Sequence, residues 1–136
     1  MAGIPEDVVA AVVAETSERM AEDPNYAQVA VGALVQGQPH LSRWLTANDT
    51  ELGGEGVVHA VFHAQVLAEC VRRHRGRRVP VVRFADLDAV ASEDAMGELE
   101  RAQTGLHGYI TSNVESEAAM RILAHAGLAL CRVALR

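Results

Sequence analysis

Apolar side chains recur along this chain at helical spacing. Over residues 5–21, Val9, Val12, Val13, Thr16 and Met20 fall on one stripe, which predicts an amphipathic helix. Pro5 suits its first position, and Glu6 and Asp7 suit the positive end of its dipole. Asp23-Pro24-Asn25 ends it. Leu41, Trp44 and Leu45 form an i, i+3, i+4 stripe in a short helix over 39–47. Leu106, Tyr109 and Ile110 do the same over 104–112. Amphipathic helices are expected over 24–36 and 87–102, and long ones over 55–74 and 114–134. Val57–Phe62 and Ile122–Leu128 make the long helices apolar almost all round, so they belong at the centre of a bundle, packed on each other.

These segments form an internal repeat. At an offset of 65, Asp23/Asp88, Ala30/Ala95, Gly32/Gly97, Leu34/Leu99, Gln38/Gln103, Leu41/Leu106, Thr46/Thr111 and Asn48/Asn113 are identical: eight matches in 26 positions without a gap. Trp44/Tyr109 and Leu45/Ile110 are conservative. After a four-residue gap, an offset of 61 pairs Leu67 with Leu128 and Cys70 with Cys131. The expected fold is all-α: one domain over 1–136, a compact six- to seven-helix bundle. It comprises two related three-helix units, approximately 23–75 and 88–136, plus an N-terminal helix. Residues 76–86 link them, with Val79–Phe84 as an extended segment that lacks a sheet partner. Asn48-x-x-Glu51 and Ser112-x-x-Glu115 resemble capping boxes ahead of the long helices. Gln38, Gln103, Asn48 and Asn113 are expected to cap helices or tie their ends to neighbours.

Composition narrows the function classes. With 49% hydrophobic and 22% charged residues, the 136-residue chain can bury a core and is not a disordered tail. Its apolar runs fall short of the roughly 20 residues that a bilayer needs, so no membrane association is expected. Lys is absent and all 12 basic residues are Arg, as GC-rich bacterial coding produces. A net charge of −6 makes nucleic-acid binding unlikely. Residues 1–70 carry −8 and residues 71–136 carry +2, a contrast able to steer self-association. The first residues lack the basic and apolar regions of a signal peptide. There are two Cys and no CxxC, which fits a cytoplasmic protein with buried, reduced thiols.

Candidate chemistry is sparse. Glu55, His59 and His63 recur every four residues on one helix face, where a His pair could present nitrogens to Zn or Fe with Glu55 as a third ligand. The second unit lacks this pattern. His125 sits in an apolar stretch and reads as a satisfied core residue. Arg72, Arg73, Arg75, Arg77 and Arg78 cluster around Gly76 at a helix end. They complement the dipole there, or bind an anion or acidic partner. No phosphate loop, nucleophile elbow or dinucleotide fingerprint is present. The expectation is a small cytoplasmic non-enzymatic module with no catalytic residues and no cofactor, which docks on a protein partner or forms a homodimer. The alternative is a metal- or small-ligand-binding protein that uses the Glu55-His59-His63 face.

Overall fold

The short helices fold where their stripes place them, and the rest of the bundle is built around them. A computed structural model describes residues 3–135, which form eight α-helices and no strand. They are α1 (Glu6–Glu22), α2 (Tyr26–Gly37), α3 (Pro39–Ala47), α4 (Asp49–Arg75), α5 (Phe84–Ala89), α6 (Ala95–Ala102), α7 (Thr104–Asn113) and α8 (Glu117–Leu135). The all-α bundle is as expected, with one helix more than the sequence suggested. The 87–102 helix is two helices, because Ser92 and Asp94 capture local backbone amides between them. Asp94 N–H donates to the Ser92 hydroxyl, and Gly97 N–H to the Asp94 carboxylate. Such side chains compete with helix continuation and favour a new N-cap.

The long helices also start differently. α4 begins at Asp49 and breaks at Gly53, whose φ of 75° lies in the left-handed region that glycine tolerates. Neither capping box forms. Asn48 sends its side-chain amide back to the Trp44 carbonyl at 2.8 Å. The Ser116 hydroxyl, not Ser112, accepts from Ala119 N–H at the start of α8. At the far end of α4, Gly76 is the left-handed cap (φ 80°), and its N–H closes onto the Arg72 carbonyl, as in common helix terminators.

α4 and α8 make the most extensive helix pair. Ala60, Ala64, Leu67 and Val71 of α4, and Leu123, Ala124, Ala126, Ala129 and Leu130 of α8, are buried. The alanines let the two backbones approach while the leucines supply most of the apolar area. α8 is long and apolar enough to cross a bilayer by length and composition, which corrects the expectation that no segment reaches that size. Half of its most apolar window is buried in the bundle, the property of a core helix. α2 and α3 pack on α4, and α6 and α7 pack on α8; α1 reaches across to α7 and α5 reaches across to α3.

Two buried glutamines hold that crossing arrangement. Gln38 and Gln103 occupy the same place between an amphipathic helix and a short one, with φ,ψ of −137°, 67° and −144°, 73°. The Gln103 side-chain oxygen accepts from Ile4 N–H at 2.8 Å, just ahead of α1. The Gln38 oxygen accepts from Val82 N–H at 2.8 Å, just ahead of α5, and its Nε2 donates to the Pro80 carbonyl at 2.9 Å. Asn113 repeats the Asn48 bond, donating to the Tyr109 carbonyl at 2.8 Å. The bonds at Gln38 and Asn48 thus match those at Gln103 and Asn113, and α5 stands to Gln38 as α1 stands to Gln103.

Replacing Gln103 with Ala strands a buried amide and is expected to cost about 1–3 kcal/mol. Gln38→Ala strands both an amide and a carbonyl, so its cost should be the larger of the two. Urea unfolding checks the order, and the reverse ranking would contradict it.

Candidate functional site

Successive turns of α4 carry His59 and His63 between two grooves. One groove, of about 450 Å³, lies between α1, α2 and α4 and is lined by Met20, Val31, Val58 and Phe62 with Gln28 and the two histidines. The other, of about 370 Å³, lies toward α7 and the start of α8, where Asn113 and Glu115 join the histidines. Met20 and Val58 remain 46% and 54% exposed, so the first groove is an open, mainly apolar trough that also carries Gln28 and the two histidines.

His63 is half-buried, and its Nδ1 lies 2.7 Å from the Tyr109 hydroxyl. Burial, helped by the neighbouring His59, pushes its pKa below the ordinary 6.5. His63 Nδ1 and the Tyr109 hydroxyl share one hydrogen bond, whose donor is set by which ring nitrogen carries the proton. Burial also pushes the Tyr109 phenol upward, which keeps it protonated. The Tyr109 ring meets His63 edge-on at 5.7 Å, and the Phe62 ring meets it at 5.5 Å, the tilted arrangement that aromatic quadrupoles favour. The other unit carries a reciprocal pair: Trp44 meets His125 at 4.7 Å, and His125 Nε2–H donates to the Leu87 carbonyl at 2.7 Å. His125 is thus the satisfied core histidine the sequence suggested. His40 sits against Phe84 at 5.4 Å.

Glu55, His59 and His63 are not gathered into a ligand set. Residues eight apart on one helix stand about 12 Å apart along its axis, and Glu55 is exposed. Among the described residues, no three His, Cys, Asp or Glu side chains are placed to hold a metal ion. The arginines divide. Arg72 forks onto Glu69 at 2.6 and 2.8 Å, while Arg73 bridges Glu69 to Glu15 of α1. Arg75 donates to the Arg78 carbonyl, and Arg77 and Arg78 are exposed. Hydrogen bonding from Arg72, then Arg73, holds the Glu69 carboxyl below its usual range against its partial burial. Two of the five arginines are therefore paired with carboxylates of the chain and a third is bonded to its backbone, so the five do not form one open anion patch. Cys70 and Cys131 are free thiols, each pushed up to about 12, mainly by burial.

Comparison with known protein families, curated proteins and solved structures finds no match to this chain. The site is therefore read from its own chemistry.

The thiols should be inert while folded. From pKa alone, roughly a thousandfold fewer thiolates exist than at an ordinary cysteine, so iodoacetamide should label the folded protein far more slowly than the urea-unfolded chain. Equal rates would contradict the burial. Stability should also fall as pH drops below about 6.5, where the unfolded chain takes up the His63 proton before the folded one does. Denaturation midpoints between pH 7.5 and 5.5 should show a smaller drop in His63→Gln than in the parent; an equal drop would remove His63 as its source.

Proposed function

We propose that this chain is a small non-catalytic binding protein whose trough between α1, α2 and α4 holds an apolar ligand. The observation that carries this reading is the trough itself. Its volume lies within the roughly 300–1,000 Å³ of small-molecule sites, and its walls are apolar side chains with a few polar groups. The remaining large exposed apolar residues, Val29, Val35, Val81 and Phe84, lie outside it, and scattered single residues are ordinary surface.

The reading as a self-association or protein-docking module has less support. The charge contrast that suggested it is partly used within the chain, where Arg73 meets Glu15 and Arg121 meets Glu51. The metal-binding alternative narrows to a ligand that uses His59 and His63 without Glu55.

N-phenyl-1-naphthylamine, an uncharged apolar dye, tests the proposal. Its fluorescence should rise to saturation at one dye per chain. Val58→Asp places a carboxylate on the exposed rim and should weaken binding by about tenfold or more, because a buried unpaired charge costs more than 1.4 kcal/mol. Non-saturating signal, or binding unaffected by Val58→Asp, would overturn the proposal.

A further inference from the structure

We propose that the trough selects an amphiphile with a carboxylate head: an apolar tail against Met20, Val31, Val58 and Phe62, and a carboxylate that accepts hydrogen bonds from His59 and His63. This rests on the apolar-ligand reading above and adds the chemistry of the head group.

Two observations point to an anion beside the histidines. First, among the described residues the only titratable side chains lining the trough are the two histidines. An entering carboxylate therefore meets no like charge, and it meets two rings that become cations when protonated. Second, His63 Nδ1 faces the Tyr109 hydroxyl, while its Nε2 bonds to no described protein group; in the protonated ring both nitrogens are donors, Nδ1 toward the phenol oxygen and Nε2 toward a ligand. A donor beside an apolar wall favours an acceptor on the ligand. Charge-assisted bonds from protonated histidine to carboxylate are the stronger kind.

Around His63, α4 contributes His59, with Glu55 one turn further on. α7 contributes the neutral Tyr109 phenol, and the segment before α8 contributes Asn113 and Glu115 in the opposite groove. α2 contributes the uncharged Gln28 and α1 contributes Met20. Arg121 of α8 is tied to Glu51. The bound carboxylate stabilises the protonated rings, so binding takes up protons and tightens as pH falls toward the range where histidine charges. Glu115, in the opposite groove, can compete for the same protonated rings and limits the size of the effect.

Calorimetric titration of the full chain with octanoate and with 1-octanol, at pH 6.0 and 8.0, tests the inference. Octanoate should bind about tenfold tighter at pH 6.0 than at 8.0, and octanol equally at both. His59→Gln should reduce the octanoate pH effect, while octanol, whatever its affinity for the variant, binds equally at both pH values. His63→Gln should do the same, with circular dichroism verifying its fold. Octanol binding with octanoate weaker at both pH values, or octanoate binding indifferent to pH, overturns the carboxylate assignment alone. Failure of both ligands overturns the apolar trough as a site.

Discussion

A backbone amide taken out of water must find an acceptor, and in this fold two amides outside any helix find theirs on buried glutamines. The segments ahead of α1 and α5 are extended and have no sheet to join. Ile4 and Val82 are nonetheless almost wholly buried, so their N–H groups need partners within the protein. Gln103 and Gln38 supply them from the opposite unit. Each half of the chain thereby fixes where the other half's outer helix begins, and the pairings α1 with α7 and α5 with α3 follow. The glutamines are worth more as specificity than as raw stability, since a satisfied buried amide pair roughly offsets its own desolvation.

The apolar trough is a consequence of this arrangement. α4 serves the core with one face, through Ala64, Leu67 and Val71. On its first turns beyond Gly53 the opposite face, with Val58, His59 and Phe62, is covered only partly by α1 and α2. α1 cannot slide further over it, because its start is tied to Gln103 and its middle to Arg73. What stays open is apolar because those α4 residues continue the pattern of a central helix. What stays polar is the histidine pair, whose inner member is half-buried and hydrogen-bonded to Tyr109.

Much of the fold was legible because strong local signals agreed with the tertiary outcome. The Leu41-Trp44-Leu45 stripe behind Pro39 marked α3 at its observed bounds, and Gly76 marked the end of α4. The α5–α6 break was missed because alanine-rich composition across 87–102 reads as helix, while the decisive side-chain bonds at Ser92 and Asp94 are local competitors of the kind that periodicity ignores. The site was half legible. His59 and His63 stood out by spacing, but their partners did not. Tyr109 is 46 residues from His63, and Glu15 is 58 from Arg73. Such contacts depend on how the two units cross, which no stripe encodes. The repeat held a clue: the aromatics of the short helices, Trp44 and Tyr109, each meet a histidine of the other unit's long helix.

Native-state hydrogen exchange at the Ile4 and Val82 amides tests the reciprocal ties most directly. Both lie outside any helix, where unprotected amides exchange at nearly the free rate. If the glutamines hold the two halves as one cooperative unit, both amides should exchange as slowly as the buried core of α4 and α8, through global unfolding. Exchange of either amide at the rate of an exposed loop would contradict the ties and the arrangement built on them.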